Sequence, residues 1–168
     1  DPQPFPAQLA PSFDGRSTAI AFSTFRMLDA LGLGPVLRPQ ACRMDRILVT
    51  DGRRPGAASK AASPAYLRFD ADEIGDRNGG EPLGYMVENR HIRGALAGAV
   101  TAAGIEVLAP ASVAAAVVRP GCVRVTLDDG RELDAALVVG AEGRNSKVRK
   151  AAGIDTVGWG YGQSGVVA

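Results

Sequence analysis

The sequence contains few of the residues from which catalytic and metal sites are usually built. Its 168 residues include one histidine, His91, and two cysteines, Cys42 and Cys122. The cysteines lie far apart and form no CxxC or Cys/His pattern, which argues against a zinc site and favours reduced thiols. No Ser/His/Asp or Cys/His constellation can be assembled either, so we assign no catalytic and no metal-binding residue.

The sequence also lacks an excess of charge and a long apolar run. Nineteen basic and eighteen acidic residues give a formal net charge of +1. The arginines are scattered, so the composition argues against a nucleic-acid-binding protein. No window reaches the roughly 18 apolar residues of a membrane span, and no signal-peptide pattern opens the chain. We therefore expect a cytoplasmic protein whose hydrophobic fraction of 46% can form a core.

Hydrophobic periodicity predicts alternating helices and strands in the first two thirds of the chain. Ser17 or Thr18 can cap the first helix, and Gly32 stands where a helix commonly ends. A short apolar run directly after the second helix is typical of an α/β unit. The predicted elements are helices at 16–34 and 89–104, and strands at 45–51, 65–71, 84–88 and 105–108.

A β-meander is predicted over residues 112–140. Its strands lie near 112–119, 122–127 and 131–140, and Asp129-Gly130 is a strong hairpin signal. The last strand begins polar (RELD) and ends apolar (AALVVG). Because a strand buried on both faces is typical of a parallel sheet covered by helices, we expect this strand to enter such a sheet. A short helix within SKVRKAAGI follows it.

The stretch ALVVGAEGRNSKVRKAAGI, residues 136–154, places ligand-binding residue types at the end of that strand, where open α/β sheets bind ligands. Gly143 permits a close backbone approach, and Glu142 can accept hydrogen bonds from hydroxyl groups. The amides that lead into the helix at Ser146 can face a phosphate, and Arg149 suits phosphate or carboxylate. The alternative is an ordinary turn with a capping residue and a solvated arginine.

Two further positions are open to a functional and a structural interpretation. Arg16 is poorly placed at the start of a helix, which suggests an anionic partner, although Asp14 can be that partner. Asn89 is either a helix N-cap or an amide that binds a ligand at the end of a strand. The stretch GYGQSG matches G-x-G-x-x-G but precedes a predicted strand, so we reject it as a dinucleotide fingerprint.

Four stretches, in this order, resemble the flavin-dependent aromatic hydroxylases of the p-hydroxybenzoate hydroxylase fold. They are DGRSTAIAFSTFRMLDALGLG, LGYMVENRHIRGAL, VTLDDGRELDAALVVGAEGRNSKVRKAAGI and GWGYGQSGVV. The similarity is greatest to the ubiquinone-biosynthesis branch, the 2-polyprenyl-6-methoxyphenol hydroxylase type. The third stretch matches the acid-glycine motif of the family, G-A-D-G-x-x-S-x-V-R, with Glu142 in place of the usual aspartate.

The resemblance implies an α/β fold, a partial FAD-binding domain with a parallel sheet, packing helices and a three-stranded meander. It implies FAD as cofactor and NAD(P)H as co-substrate. Arg16 and the backbone of Val113 would contact the dinucleotide, Asn89 would lie near the ribityl chain, and the acid-glycine pair would help to hold FAD. The implied cofactor-binding residues are Arg16, Asn89, Val113, Glu142, Gly143 and Arg149, the last of which is linked to NAD(P)H use.

The implied function is hydroxylation of a phenolic ring, in particular a polyprenyl phenol of ubiquinone biosynthesis, with O2. Residues 1–168 would form an incomplete FAD/NAD(P)-binding domain, with an excursion into the substrate-side sheet at 44–88 and the start of that sheet at 155–168. The alternatives are another flavin oxidoreductase of the same fold and a non-catalytic α/β binding module. Peripheral association with the inner membrane, a homo-oligomer and a ubiquinone-synthesis complex are left open.

The amino-terminal G-x-G-x-x-G and the later Gly-Asp motif of the family are missing from these 168 residues. We therefore expect the 168-residue chain to bind FAD weakly or not at all, because the loop that holds the pyrophosphate is missing. The visible absorbance spectrum of the purified chain measures this. A yellow protein with stoichiometric flavin would contradict the prediction.

Overall fold

The computed structural model describes residues 2–4, 9, 16–50 and 65–165, without the side chains of residues 65–66 and 75–78. The last residue of the strand predicted for 45–51 and the last residues of the strand predicted at the end of the chain lie outside the described residues. The contacts divide the chain into two units, one within Pro6–Val107 and one that contains Leu108–Ala168. We call them the first unit and the second unit and describe each by itself.

The first unit contains two antiparallel sheets and two principal helices. The elements are β1 (Ser17–Ala21), α1 (Phe22–Ala30), α2 (Gly34–Leu37), β2 (Ala41–Met44), β3 (Arg46–Thr50), β4 (Ala65–Asp70), β5 (Gly84–Glu88) and α3 (Asn89–Ala102). Short 3-10 segments follow α2 and β4. The strand β5 is the central strand of a three-stranded sheet, with β1 on one side and β2 on the other, while β3 and β4 form a separate two-stranded sheet.

The core of the first unit lies between its three-stranded sheet and its helices. Phe25 of α1 is fully buried, and its ring centroid lies 4.2 Å from that of Tyr85 on β5. The guanidinium of Arg38 lies 5.1 Å from the centroid of the Phe25 ring and donates a hydrogen bond to the Tyr85 hydroxyl. The Arg38 guanidinium therefore covers one edge of the core and still forms hydrogen bonds with polar groups. The buried residues of the core are Ile20, Phe25, Leu33, Leu37, Tyr85, Val87 and Ala95.

The first predicted helix begins later than the sequence pattern indicates. Residues 17–21 form β1, which pairs with β5 from Ser17 opposite Glu88 to Ala21 opposite Gly84. The residue at the N-cap of α1 is Ala21, so neither predicted capping side chain is used there. The prediction was wrong because five residues of backbone pairing with a distant strand override a local helical periodicity.

Gly84 shows how closely the strands of this sheet approach one another. It faces Ala21 in β1 and Met44 in β2. A Cβ atom at this position would lie 2.3 Å from the carbonyl oxygen of Ile20, which no real side chain tolerates. The centre of the sheet therefore requires glycine at the beginning of β5.

The second unit confirms the predicted meander and the short helix after it. The elements are β6 (Val113–Arg119), β7 (Cys122–Leu127), β8 (Glu132–Ala135) and α4 (Lys147–Ala151). The three strands are antiparallel neighbours in the order β6, β7, β8. The side chains of Val125 and Leu127 on β7 are buried together with Ala111.

The predicted parallel sheet is not found in the described residues, where every strand pairing is antiparallel. The strand β8 ends at Ala135, and neither 136–140 nor 105–108 forms a strand. A strand needs a hydrogen-bonded neighbour, and no described strand lies beside residues 136–140. Two of the apolar side chains there are accordingly exposed, Leu137 at 77% and Val139 at 75%, while Val138 packs against the core of this unit.

The predicted excursion into a substrate-side sheet at 44–88 and the predicted start of that sheet at 155–168 both stay predictions. The separate sheet of β3 and β4 falls inside residues 44–88, whereas β5 belongs to the main sheet of the first unit. Residues 155–165 contain no strand.

Among the described residues, no helix has both the length and the apolar character that crossing a membrane requires.

Replacing Phe25 with alanine is expected to destabilise the protein by about 3–5 kcal/mol, because a fully buried aromatic ring leaves a cavity beside Tyr85. Urea denaturation followed by circular dichroism measures the change. The matched control is Met27→Ala on the same helix, where the side chain is 67% exposed and the expected change is within about 0.5 kcal/mol. Equal losses in the two variants would show that this core does not carry the fold.

Candidate functional site

The acid-glycine turn of the second unit is organised by the carboxylate of Glu142. Its Oε1 atom accepts hydrogen bonds from the backbone amides of Lys147 at 3.2 Å and Val148 at 3.3 Å, and its Oε2 atom accepts one from the hydroxyl of Ser146. The hydrogen bond from Ser146, followed by those of the two amides, lowers the pKa of Glu142. The carboxylate therefore stabilises the beginning of α4.

Ser146 is the N-cap of α4 and is thus the capping residue that the structural alternative requires. Its side chain is buried, and its hydroxyl oxygen accepts a hydrogen bond from the amide of Arg149 at 3.0 Å. Together with Glu142 it occupies the amides that the sequence offered to a phosphate. A phosphate at this helix terminus would meet a carboxylate, so the structure does not support that part of the interpretation.

The predicted contact of Glu142 with a ligand hydroxyl stays a prediction. Two carboxylate oxygens have about four acceptor positions in total. Three donors within the turn already use three of these positions. A ligand hydroxyl would therefore have to share what remains, and the principal role of this acid in the structure is to cap a helix.

Gly143 and Arg149, the other two predicted residues of this turn, differ in how far a ligand could reach them. Gly143 has a φ of +84° and would have no atom within 4 Å of an added Cβ, so its backbone faces open space. The Nη1 atom of Arg149 donates to the carbonyl of Arg144 at 2.8 Å. Its Nε atom is buried and has no hydrogen-bond partner among the described residues. Gly143 therefore leaves room for a ligand, whereas the Nε atom of Arg149 has almost no surface that a ligand could reach.

In the first unit, the pairing of β1 with β5 brings two of the predicted residues together. The backbone amide of Asn89 donates to the backbone carbonyl of Arg16 at 3.0 Å, and the hydroxyl of Thr18 donates to the side-chain Oδ1 of Asn89 at 2.6 Å. They line a pocket of about 380 Å³. The residues around this pocket are Arg16, Thr18, Ile20, Thr24, Leu28, Asn89, Ile92 and Arg93.

The structural interpretation of Asn89 as a helix N-cap is wrong. The N-cap of α3 is Glu88, and no side chain forms a capping hydrogen bond there. The side chain of Asn89 is instead bound to Thr18, on the rim of the pocket. This placement favours the alternative considered from the sequence, an amide available to a ligand.

Val113 is the first residue of β6, an edge strand of the meander, and lies opposite Leu127. Its side chain is partly buried against the small core of the second unit. The predicted contact of its backbone with adenine stays a prediction. The six predicted residues thus fall into two groups: Arg16 and Asn89 in the first unit, and Val113, Glu142, Gly143 and Arg149 in the second.

Sequence reasoning missed Thr18 and Arg93 as pocket residues. Thr18 was interpreted as the cap of a helix, and a strand assignment would have placed it on the same side of β1 as Arg16 and Ile20. Arg93 lies four residues after Asn89, one helical turn further along α3, so the two share a face of the helix. That spacing was the available signal.

Comparison with known proteins identifies relatives over nearly the whole chain, although no protein-family model matches it. It is 40% identical over 164 residues to ubiquinone hydroxylase UbiL of Rhodospirillum rubrum, covering 96% of this chain and 34% of that protein. It is 32% identical over 173 residues to the monooxygenase COQ6 of Rattus norvegicus, covering 96% and 33%. For 3-demethoxyubiquinol 3-hydroxylase of Escherichia coli the identity is 33% over 165 residues, covering 98% and 38%.

Solved structures show the same fold. Anhydrotetracycline hydroxylase OxyS of Streptomyces rimosus superimposes with a TM-score of 0.67 at 22% identity, covering 90% of this chain and 28% of that one. The Diels-Alderase PyrE3 gives a TM-score of 0.65 at 20% identity, covering 86% and 27%. The fold is therefore a mixed α/β fold of the flavin-dependent hydroxylase type, and the predicted fold class is confirmed apart from its parallel sheet.

Within that fold, the chain is homologous over most of its length to part of the ubiquinone-biosynthesis hydroxylases, and the resemblance inferred from the sequence is confirmed. The chain spans about a third of the length of the curated relatives it matches.

The capping role of Glu142 predicts a specific pH dependence. Because its pKa is lowered from 4.5 in the folded protein, its stabilising contribution is complete above about pH 5 and is lost as the pH falls below that range. The Glu142→Gln variant should be less stable than the parent at neutral pH, and the difference should narrow towards about pH 3. Urea denaturation at several pH values measures the two curves.

The control is Glu106→Gln, which changes an exposed glutamate outside this turn and should change the stability at neutral pH by no more than about 0.5 kcal/mol. A Glu142→Gln curve that stays parallel to that of the parent would contradict the capping role.

Proposed function

We propose that the full-length protein is an FAD-dependent, NAD(P)H-using monooxygenase that hydroxylates a phenolic ring, in particular a polyprenyl phenol of ubiquinone biosynthesis. The names of the relatives, ubiquinone hydroxylase and 3-demethoxyubiquinol 3-hydroxylase, support this substrate class. The observation that carries the proposal is the pocket that joins Arg16 to Asn89. These are the two residues that the resemblance separately assigns to one cofactor.

The pocket has the chemistry to hold part of a dinucleotide. The guanidinium of Arg16 is a fork that pairs with phosphate oxygens, and Arg93 brings a second guanidinium to the same pocket. The amide of Asn89 can donate to hydroxyl or carbonyl oxygens. At about 380 Å³ the pocket takes a portion of FAD and not the whole cofactor.

The acid-glycine turn, taken within the second unit alone, offers a different kind of contact. The open face of Gly143 would allow backbone atoms to come close to a ligand, and the predicted contact of Arg149 stays a prediction. When bound, the flavin would supply the redox chemistry with O2 and reduced nicotinamide. The residues of this chain bind and orient it, which agrees with the lack of a nucleophile or metal ligand set in the sequence.

A non-catalytic α/β binding module is the second candidate, and the capping role of Glu142 is the observation that favours it. In that case the acid-glycine turn serves the fold alone and the pocket of the first unit has no cofactor. Another flavin oxidoreductase of the same fold would use the same pocket with a different substrate. Membrane association, a homo-oligomer and a ubiquinone-synthesis complex stay predictions.

In the full-length protein, Arg16→Ala is expected to weaken FAD binding about 10- to 100-fold, because a charge-assisted hydrogen bond to phosphate is lost. Quenching of flavin fluorescence on titration with apoprotein measures the dissociation constant. The control is Arg26→Ala, which removes an exposed arginine of α1 that does not line the pocket. If the parent binds FAD and both variants bind it equally well, this pocket is excluded as a cofactor site. A parent protein without affinity for FAD would support the non-catalytic module.

A further inference from the structure

We propose that Thr18 is a positioning residue that fixes the amide of Asn89 in one orientation, with its NH2 group free to donate to a ligand oxygen in the pocket. The inference rests on the proposed function, because the ligand oxygen would belong to the flavin cofactor. The relevant contact is the hydrogen bond from the Thr18 hydroxyl to Oδ1 of Asn89 at 2.6 Å.

The register of the sheet explains why these two side chains meet. Thr18 lies opposite Val87 in the antiparallel pair of β1 and β5. Asn89 follows Val87 by two positions, so its side chain leaves on the same side, within diagonal reach of Thr18. The backbone amide of Asn89 also donates to the carbonyl of Arg16 at 3.0 Å. Both the backbone and the side chain of Asn89 are therefore held by β1.

The orientation of the amide decides what Asn89 offers to a ligand, and in the structure the Thr18 hydroxyl donates to the amide oxygen. The terminal torsion of an asparagine has a broad, nearly two-fold energy profile, so an isolated amide presents its oxygen and its nitrogen about equally. A hydroxyl that donates to Oδ1 occupies the oxygen and leaves two N–H groups as donors. The pocket would then present donors from Asn89, Arg16 and Arg93 to one ligand. Such a set selects an oxygen-rich group, such as a phosphate or a polyol.

The exposure of the pair indicates where the hydrogen bond matters. Thr18 is exposed and Asn89 is only partly buried. Loss of the contact in the free protein is therefore compensated by water, and the stability of the fold should hardly change. Its effect should emerge on binding, when an amide without a fixed orientation must be ordered by the ligand.

The test uses the full-length protein and its FAD dissociation constant, measured by flavin fluorescence. Thr18→Val removes the hydroxyl and keeps the shape of the side chain, and it should weaken FAD binding about 3- to 10-fold. Thr18→Ser keeps the hydroxyl and should restore affinity to within about two-fold of the parent. The matched control is Thr101→Val, which removes the hydroxyl of an exposed threonine that does not line the pocket and should leave the FAD dissociation constant unchanged.

A double variant distinguishes positioning from a separate contact. In the Asn89→Ala background, Thr18→Val should cause no further loss of FAD affinity, because the group that it orients is gone. An equal loss in both backgrounds would show that Thr18 acts independently and would overturn the inference, as would a Thr18→Val protein that binds FAD like the parent. If the parent itself binds no FAD, the proposed function fails. If only Asn89→Ala and Arg16→Ala lose FAD affinity, the proposed function holds and the role of Thr18 is overturned.

Discussion

The antiparallel pairing of β1 with β5 is the contact on which the first unit depends. It joins segments as distant in sequence as Thr18 and Asn89, which are 71 positions apart. On one side of the sheet it buries Ile20 and Val87 against the helices. At its end it places the two polar residues of the candidate pocket beside each other. The same backbone hydrogen bonds therefore form the core and assemble the pocket, so the pocket is built on rigid elements.

Tyr85 links this buried core to the polar surface of the unit. Its ring packs on Phe25, while its hydroxyl donates to Glu81 at 2.8 Å and accepts from Arg38 at 2.9 Å. Burial, followed by the hydrogen bond to Glu81, raises the pKa of Tyr85. Because the phenol keeps both of its partners at the edge of the core, the ring can be buried without leaving an unsatisfied hydroxyl. This arrangement fixes α1 against β5 and thereby the wall of the pocket.

The sequence predicted those elements whose signals are local. The helix α3 has its apolar residues at a regular helical spacing, and the meander has glycine turns at Gly121 and Gly130, both of which have positive φ in the structure. The strand β1 could not be found in this way, because its structure is set by pairing with β5 and its own residues have helical spacing. Likewise, the apolar residues 136–140 have the composition of a buried strand, yet a strand also requires a neighbour, which composition does not specify.

The candidate site likewise has one part that the sequence predicts and another that depends on contacts in the folded chain. The acid-glycine turn is recognisable from its residues, but the direction of the Glu142 carboxylate is not, because it is decided by which donors lie nearest. Glutamate carries one methylene more than the aspartate usual at this place, and here the carboxylate extends to the amides of Lys147 and Val148. Those amides are then unavailable to an anion, and the carboxylate would repel one. The backbone of Gly143 is then the part of this turn that a ligand could approach closely, because an added Cβ there would have no atom within 4 Å.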